Sequence, residues 1–387
     1  MILLGVFCYL FAQKPQEVVD TNRMFLYTKY IGCATPKGEI LGAVKGRTMK
    51  GKQLKSAIKK MEKLSPKGNS CHCHVKSNGN VLEVAHELAD KMEMAFQCEC
   101  HKMPAVMVDL DSLSQALCSM PEEFNGALHA SFNGDFLHFE CQGACASVET
   151  LNEPVGASQY PEDFESLLDI PKGFMPFLHD AASQNEFGFS INGLLFDANF
   201  AVATDGHRLH CRRYPKDSWA RDPRRFVINF SQRKKIKSLF GSRGFQVSIA
   251  GDCLRFSDGN VSLFTREDKD LRFPPIEKIV NKNLQYETSF LAGSLLQAIS
   301  GPAKGKGDGI KMEINGRITI MADNYRAHVD TIKSSKEMIL GINPVYLKDA
   351  LSKAKKREKA TMRYESQYDQ VSIEMDDKMA IIMTMRL

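Results

Sequence analysis

Three clusters of polar side chains in this chain have residue types that could carry out chemistry. The first lies in VATDGHRL (Val202–Leu209), where a carboxylate, an imidazole and a guanidinium come together as Asp205, His207 and Arg208. A general base needs an orienting partner and a polar pocket of substrate size, and nothing else in the chain supplies them. Since Asp-Gly is equally a turn signal, we predict no catalytic residue here and no enzymatic activity.

Cysteine and histidine alternate in two short segments, CHCH at 71–74 and CECH at 98–101. On adjacent β-strands, this spacing would place paired thiols on one face, where they could approach a zinc site. The four thiols are those of Cys71, Cys73, Cys98 and Cys100. Structural zinc sites more often use C-x₂-C turns, and the alternative is that cysteine acts as a small hydrophobic residue in two half-buried strands. We favour the alternative and predict no metal and no cofactor.

The third cluster is the glycine-rich segment GPAKGKGDG (Gly301–Gly309). A phosphate-binding loop of this kind ends in Gly-Lys-Ser or Gly-Lys-Thr, because the hydroxyl binds Mg²⁺, and the segment has neither ending. The chain also has no nucleophile elbow of the Gly-x-Ser-x-Gly type. We therefore interpret 301–309 as a flexible loop.

Length and charge favour a multidomain protein that contacts a polyanion. The chain has 387 residues, of which 43% are hydrophobic, and this is enough for two or three domains. The net charge is +5, but residues 1–63 contain twelve Lys and Arg against four Asp and Glu and carry +8, so the rest carries −3. Local basic segments in a near-neutral chain are typical of a protein that tracks along a polyanion.

The cysteine content and the N-terminus bear on the compartment. The eleven cysteines are odd in number, and a chain of this length needs no disulfides to fold, so a reducing compartment is favoured. The apolar run Ile2–Ala12 resembles a short signal-peptide core, but no basic residues precede it and it is too short to span a bilayer. We predict a cytoplasmic, nucleoid-associated protein (in the host cytoplasm if the source is a virus) without membrane contact.

Turn signals recur along the chain at a nearly constant interval. Asn-Gly between β-rich runs is a strong hairpin signal, because both residues tolerate the positive φ of a type I′ turn. Hairpins with intervals of 54 to 64 residues are expected at Asn78-Gly79, Asn133-Gly134, Asn192-Gly193, Ala250-Gly251 and Asn315-Gly316, and near Asp369. A fixed period of this length indicates a repeat architecture.

Each expected hairpin follows a stretch with helical spacing of its apolar residues. The six predicted helices are Gly51–Leu64, Asp111–Met120, Gly173–Gln184, Ser231–Phe240, Ala292–Ser300 and Pro344–Lys356. Six half-units of helix plus hairpin predict an α+β fold of three similar domains, each with two helices packed on antiparallel sheets. The alternative is an ordinary α+β protein in which hairpins happen to recur at this interval.

Two aromatic-proline pairs predict connectors between domains. Tyr160-Pro161 and Phe273-Pro274 lie 113 residues apart, close to two half-units, and each precedes an acidic and apolar segment. Proline also holds the residue before it in an extended conformation, which suits a connector. We predict an N-terminal extension of unknown role at 1–46 and domains at 47–168, 169–286 and 287–387.

Four segments resemble signatures of the bacterial β sliding clamp family, the β subunit of DNA polymerase III. VATDGHRL is similar to that family's ATDGHRL, and the C-terminal MTMRL (Met383–Leu387) to its MPMRL, with Thr384 in place of proline. RFPPIEKIV (Arg272–Val280) resembles the connector after the middle domain, and GINPVYLKDAL (Gly341–Leu351) the second helix of the third domain. The resemblance is good over 169–387, weaker over 48–168 and absent over 1–46.

This resemblance implies a head-to-tail homodimer of clamp-type domains that closes a ring around double-stranded DNA without reading its sequence. Such a ring acts as a processivity factor. The implied partners are the replicative DNA polymerase, the clamp loader and other DNA enzymes that carry clamp-binding peptide motifs. No cofactor is implied.

A ring that slides on DNA needs basic helix faces without base-specific contacts. The chain has basic runs on or just after four of its six predicted helices. The DNA-facing candidates are Lys55, Lys59, Lys60, Lys63, Arg233, Lys234, Lys235, Lys237, Lys304, Lys306, Lys353, Lys356 and Arg357. For any single run, the alternative is an ordinary solvated helix face.

The resemblance also implies a peptide-binding cleft between the middle and third domains. Methionines adapt to varied apolar side chains, and a few polar groups fix the peptide backbone, so the implied residue set is suited to a short motif with one or two large hydrophobic residues. The cleft residues are Ile191, Thr204, Gly206, His207, Arg208, Leu209, Pro274, Ile279, Asn343, Tyr346, Ile381, Met383, Met385 and Arg386. For Met383 and Met385, the alternative is a place in the core of a terminal strand.

Two other functions stay open from the residues alone. The chain could be a clamp-fold protein that acts as a monomeric adaptor for DNA enzymes, which its mass in solution would reveal. It could also be a metal-dependent nucleic-acid enzyme that uses the cysteine and histidine cluster, which metal content and activity would reveal.

Overall fold

The computed structural model describes residues 51–386 apart from 66–70, 80, 88–89, 98, 101, 122–127, 153–154, 156–157, 185–192, 270, 272 and 305–308. The described residues form seven α-helices, one 3₁₀-helix and 24 β-strands. None of the described helices is both long and apolar enough to cross a membrane.

The chain repeats a half-unit that consists of a strand, a helix and three further strands, and two half-units make one unit. The first unit contains α1 (Gly51–Leu64), β1 (His72–Ser77), β2 (Val81–Glu87), β3 (Lys91–Gln97), the short β4 (Glu99–Cys100), β5 (Met103–Asp109), α2 (Leu110–Ser119), β6 (His129–Phe132), β7 (Phe136–Cys141) and β8 (Ala144–Leu151). In its first half-unit the described residues begin with the helix and end with β3, and the short β4, which pairs with β6, is additional to the pattern.

The other two units follow the same order. The second contains β9 (Glu165–Ile170), α3 (Met175–Ala181), β10 (Leu194–Phe196), β11 (Phe200–Thr204), β12 (Arg208–Arg213), β13 (Phe226–Ile228), α4 (Phe230–Phe240), β14 (Phe245–Ala250), β15 (Cys253–Ser257) and β16 (Val261–Arg266). After the connecting helix α5 (Glu277–Val280), the third contains β17 (Tyr286–Leu291), α6 (Ala292–Ile299), a 3₁₀-helix (Pro302–Lys304), β18 (Ile310–Ile314), β19 (Arg317–Ala322), β20 (Tyr325–Ser334), β21 (Met338–Ile342), α7 (Pro344–Leu351), β22 (Lys359–Tyr364), β23 (Gln370–Met375) and β24 (Lys378–Met383).

The strands form two twelve-stranded sheets that cross the unit boundaries. The first has the order β4-β6-β7-β8-β5-β1-β2-β3-β16-β15-β14-β9, and the second β13-β10-β11-β12-β24-β23-β22-β17-β20-β19-β18-β21. At the first boundary β3 pairs antiparallel with β16, as in Met94 opposite Val261. At the second, β12 pairs antiparallel with β24, as in His210 opposite Ala380. Each sheet is therefore continuous from one unit into the next.

Local sequence explains the elements. In β2 every second residue points into the core, and Leu82 and Val84 are completely buried there, as expected for a sheet with one face against helices. Asp109 begins α2 by accepting the N–H of Ser112 at 2.8 Å. Asn229 and Gln232 form a reciprocal capping box at the start of α4.

The predicted hairpins are confirmed at 78–79, 133–134, 250–251 and 315–316 and near residue 369, where consecutive strands pair antiparallel. The predicted type I′ geometry is wrong for the Asn-Gly turns, because the glycines have positive φ, 106° at Gly79 and at Gly134, but the asparagines do not. Instead the asparagine side chain closes the turn. Asn133 Oδ1 accepts the N–H of Phe136 at 2.8 Å.

Other predicted bounds differ from the structure. Asn192 lies outside the described residues, and the nearest hairpin, β10–β11, turns at 197–199. Helix α3 ends at Ala181 and α7 at Leu351, both earlier than predicted. After α7 the Lys355 N–H donates to Glu358 Oε2 at 2.8 Å, and this local bond stabilises a turn in place of further helix.

Candidate peptide cleft and basic helical surface

The segment Thr204–Leu209 is the turn that joins β11 to β12. Asp205 Oδ1 accepts the N–H groups of His207 and Arg208, each at 3.0 Å, and Gly206 has φ of 90°. Thr204 Oγ1 donates to the Arg208 carbonyl at 2.6 Å and accepts the Gly206 N–H at 3.1 Å. The polar atoms of Thr204 and Asp205 thus hold the turn, which accounts for the residue types without a reaction.

Arg208 joins the second unit to the third. Its Nε donates to Asp205 Oδ2 at 2.9 Å and its Nη1 to Asp349 Oδ2 at 2.5 Å, while the guanidinium carbon lies 4.4 Å from the centre of the Tyr346 ring. The Arg208 side chain is only 11% exposed. Burial raises the pKa of Tyr346, and the nearby Asp205 carboxylate raises it further. The guanidinium and the phenol ring therefore form a rigid, polar wall.

The C-terminal segment forms the apolar side of the same region. Ile381 is buried and packs with Leu209 and Phe273 in a small cluster that joins β12, the connector and β24. Met383 and Met385 are 46% and 37% exposed. The Met383 N–H donates to the His207 carbonyl at 3.0 Å, and the Met385 N–H to the Gly341 carbonyl at 2.8 Å. The backbone is therefore fixed while both thioethers face outward, which is contrary to a place in the core.

A pocket of about 400 Å³ opens beside this segment. Its lining residues are Ile339, Gly341, Gln367, Tyr368, Met385 and Arg386. Ile339 is 42% and Tyr368 72% exposed, so an apolar surface is open to a partner. The sequence reasoning missed Ile339, Gln367 and Tyr368. The only signal was a large aromatic residue in the turn of the last-but-one hairpin.

The remaining cleft residues lie around the same region or outside the described part. Pro274 is half-buried, Ile279 is 36% exposed, and the Ile279 carbonyl accepts Gln370 Nε2 at 2.8 Å. Asn343 is the N-cap of α7, where its Oδ1 accepts the Val345 N–H at 2.9 Å. Ile191 lies outside the described residues.

The predicted DNA-facing residues are exposed, half-buried, buried or outside the described residues. Those exposed at the surface are Lys59, Lys63, Lys234, Lys237, Lys304, Lys353, Lys356 and Arg357. Half-buried ones are Lys55, Lys60 and Lys235. Lys55 donates to the carbonyls of Cys118, at 3.0 Å, and Met120 at the end of α2, where a cation is favoured by the helix dipole. Lys306 lies outside the described residues.

The prediction is wrong for Arg233, which is 2% exposed and donates from Nη2 to the Ser183 carbonyl at 2.7 Å. Burial lowers its pKa to about 10, so it stays charged at neutral pH. The physical reason is helical geometry, because three consecutive basic residues span too wide an arc to face one side. Arg233 shares its face with the buried Ile236 and Phe240.

Lys235 is occupied by an ion pair between units. Its Nζ contacts Asp90 Oδ2 in the turn between β2 and β3. The other oxygen of Asp90 accepts the Thr265 hydroxyl at 2.6 Å, and Thr265 also accepts Gln232 Nε2 at 2.7 Å. This network fixes α4 of the second unit against the first.

The cysteine segments lie only partly within the described structure. Cys73 is completely buried, and burial followed by the Asp109 carboxylate raises the pKa of its thiol. Cys71 is half-buried and packs against the same core. Cys98 is outside the described residues, as is the side chain of Cys100. Among the residues that are described, no group of three or more His, Cys, Asp and Glu side chains has the arrangement of a metal site.

No family model and no curated protein sequence matches the chain. Solved structures do match the chain. The sliding clamp of Pseudomonas aeruginosa with a ligand is 17% identical, covers 88% of this chain and 99% of its own, and has a TM-score of 0.71. The Helicobacter pylori β clamp bound to a DNA ligase peptide is 13% identical, covers 86% and 98%, and has a TM-score of 0.69.

The H. pylori β clamp in complex with carprofen is similar to the same degree, at 13% identity, coverage of 88% and 99%, and a TM-score of 0.72. The chain therefore has the fold of the DNA polymerase III β sliding clamps. The α+β fold of similar clamp-type domains, predicted from the repeated half-units and the resemblance, is confirmed.

Proposed function

We propose that this chain is a DNA sliding clamp, a ring-forming processivity factor that encircles duplex DNA and tethers DNA enzymes to it without catalysing a reaction. The observation that carries this proposal is the repeated joint between units. At both joints the last strand of one half-unit pairs with the last strand of another, β3 with β16 and β12 with β24. Two half-units remain, and their last strands are β8 and β20.

Those two strands have matching open edges. β8 pairs with β7 over Ala144–Glu149, but on its other side only Thr150 and Leu151 pair, with β5. β20 pairs with β19 over Tyr325–Asp330, but on its other side only residues 331–334 pair, with β17. Among the described residues, the stretches 144–149 and 325–330 thus have one unpaired edge each. Such edges favour strand addition by another chain.

A second copy of the chain completes the pattern. The β8 edge of one chain would pair with the β20 edge of its partner, and the two-fold symmetric counterpart would close a ring of six units. In this ring α2 and α6 meet beneath the new joint, as α1 contacts α4 and α3 contacts α7 within the chain. The helices would face the hole and the sheets the outside.

We propose three domains with bounds close to those predicted from the sequence. The start of the second is moved back from 169 to 165, because Glu165 already pairs with β14 as part of β9. The start of the third is moved from 287 to 286, where β17 begins. The first domain keeps its predicted start at 47, and 1–46 stays an extension of unknown role.

We further propose that the region around Met383, Met385 and Tyr368 binds peptide motifs of the replicative polymerase, the clamp loader and other DNA enzymes. The exposed apolar side chains, the Arg208–Tyr346 wall and the pocket of about 400 Å³ support this. The H. pylori β clamp bound to a DNA ligase peptide is a structural precedent. Such a protein would act in the cytoplasm, at the nucleoid.

The test of the proposed function is retention on nicked circular DNA. Wild-type protein loaded on the circle should stay bound through a high-salt wash and be lost when the circle is cut, because only a topological link has this property. Equal retention on cut and uncut DNA would overturn the proposal. Retention on neither, with the mass of one chain in solution, would favour a monomeric adaptor instead.

Charge reversal on α4 should weaken the hold on DNA. Lys234 and Lys237 are exposed, and each that contacts a phosphate contributes about 0.9 to the slope of log K against log salt. In Lys234→Glu/Lys237→Glu we expect that slope to fall by about 1.8 in magnitude, with the dimer intact. Lys235 is left unchanged, because its removal would leave the Asp90 carboxylate without its ion-pair partner.

The control for this prediction is Lys278→Glu, an exposed lysine on the connecting helix α5. Duplex binding measured by fluorescence anisotropy over a range of salt concentrations gives both slopes. Equal slopes for wild type and the α4 variant would show that this face does not contact the backbone.

A further inference from the structure

A pocket of about 360 Å³ lies where α1 of the first unit meets α4 of the second. Its polar lining consists of Lys52, Gln53, Ser56, Lys60, Arg243 and Asn260. Three of these six side chains are cationic and none is acidic. Because it lies between two helices at a unit joint, it belongs to the helical layer of the proposed ring.

Two of the cations converge on one carbonyl. Lys60 Nζ lies 3.5 Å from the Leu239 carbonyl oxygen, and Arg243 Nη2 donates to the same oxygen. Arg243 Nη1 also pairs with Asp258. The other oxygen of that carboxylate accepts the N–H groups of Asn260 and Val261 at 3.1 and 3.0 Å, so Asp258 is occupied.

Only one of the three positive charges in this pocket has an ion-pair partner, since Asp258 pairs with Arg243. Neither Lys52 nor Lys60 has a carboxylate partner among the residues that the structure describes. Burial, and then the neighbouring Arg243, lower the pKa of Lys60, while Asp258 opposes them. A half-buried ammonium beside a guanidinium is destabilised as a cation, and an anion bound between them would relieve this.

The equivalent joint between α3 and α7 is different. There Lys353 pairs with Asp180 at 3.3 Å. Burial raises the pKa of Asp180; Lys353 and Lys237 oppose this rise, and the neighbouring Asp349 carboxylate adds to it. Lys353 thus has an ion-pair partner in its own chain, whereas Lys52 and Lys60 have none among the residues that the structure describes.

We propose that the α1–α4 pocket binds one phosphate group of the duplex backbone, so that DNA is held at this joint and not at the α3–α7 joint. The inference rests on the proposed clamp function and identifies which part of the inner surface of the ring contacts the DNA. Lys52, Lys60 and Arg243 supply charge, and the Ser56 hydroxyl and the Asn260 amide supply neutral hydrogen-bond donors. All of these groups recognise a phosphate and none reads a base, so the duplex stays free to slide.

The test measures how tightly a short linear duplex binds to wild-type protein and to two variants, Lys60→Gln and Arg243→Gln. Both substitutions keep a polar side chain. Each should weaken binding about fivefold near 0.1 M salt and reduce the magnitude of the salt slope by about 1. Lys278→Gln on α5 is the control and should match wild type. Thermal unfolding checks that each variant is folded.

Asp180→Asn provides an independent test with the opposite sign. Removing this carboxylate frees Lys353 and creates a second cationic joint, so duplex binding should tighten and the slope should steepen by about 1. Unchanged affinity and slope in Lys60→Gln and Arg243→Gln would overturn the inference. If those variants lose binding of pyrophosphate but keep that of the duplex, the pocket takes a free phosphate compound and the assignment to DNA is wrong.

These outcomes are distinct from failure of the clamp function itself. If wild-type protein is released from nicked circular DNA on linearisation while Lys60→Gln binds duplex normally, the proposed ring is supported and the assignment of the pocket is wrong. If wild-type protein is not released by linearisation, the proposed ring itself is wrong.

Discussion

Two carboxylates placed on the open edge of β20, as Ala327→Asp/His328→Asp, should convert a dimer of twice 43.4 kDa into single chains. Neighbouring residues of a strand point to opposite faces, so one new carboxylate lies on each face of the joint, and the one at position 327 lies on the side that packs against the core. An unpaired charge buried in an interface costs about 3 kcal/mol, which raises the dimer Kd about a hundredfold. Sedimentation velocity measures this, and retention on circular DNA should be lost with it.

Ile332→Asp is the matched control, because this residue lies on the same strand and is 56% exposed, but β17 already covers that part of the edge. A positive test complements it. Cys145 lies on the β8 edge, so cysteine placed in turn at Arg326, Ala327 and His328 should form a disulfide-linked dimer at one of the three positions. Monomeric wild type, or a dimer that survives both aspartates, would contradict the proposed joint.

Loss of the last five residues should abolish binding of an apolar clamp-binding peptide. The deletion removes both exposed thioethers and the Met385 bond to the Gly341 carbonyl, which fixes one side of the pocket. Buried anchor contacts dominate affinity in such sites, and we expect the peptide Kd to rise about fiftyfold or more. Isothermal titration with a peptide that carries two adjacent large hydrophobic residues measures the change.

Point variants distinguish peptide binding in the cleft from nonspecific hydrophobic binding. Met385→Ser and Tyr368→Ser should each weaken the peptide severalfold, whereas Phe136→Ser, which removes an equally exposed apolar side chain (39%) from β7, should not. Full affinity after the deletion would place the peptide elsewhere. Equal losses in all three variants would indicate nonspecific hydrophobic binding.

Local signals predicted the skeleton of the fold well. The helix Gly51–Leu64 was predicted to the residue, because its apolar positions recur at helical spacing. Three of the four Asn-Gly turns were also predicted correctly, but their conformation was not. A turn type depends on whether the asparagine takes a positive φ or uses its side-chain oxygen to cap the next strand, and composition does not distinguish these.

The electrostatic predictions were weaker, since a charged side chain is assigned by its neighbours in space. Arg233 reads as one of a basic run but lies buried against Ser183, and Lys235 is taken by Asp90, 145 residues away in the chain. The residues that line the α1–α4 pocket include Arg243, which follows α4, and Asn260, which lies in the turn between β15 and β16. No periodicity connects them to Lys60.

The cleft illustrates the limit of resemblance. Leu209 belongs to one family motif and packs with Ile381, which lies just before another. Met385, within that second motif, lines the pocket beside the C-terminus. Tyr368 and Ile339 carry much of the exposed apolar surface, but they fall in segments without a motif. Only the folding of β21 and the β22–β23 turn beside the C-terminus brings them there.

The middle unit is divided between the two sheets, with β9 and β14–β16 in one and β10–β13 in the other. In the described part of the chain, no strand of one sheet pairs with a strand of the other. Flexing of a protomer along this seam therefore disturbs side-chain packing and the few backbone hydrogen bonds between β9 and residues 218–220, whereas flexing at either unit joint breaks the ladder hydrogen bonds of paired strands. A protomer that has to change its curvature to admit or release a duplex would bend most easily along this seam in the middle unit.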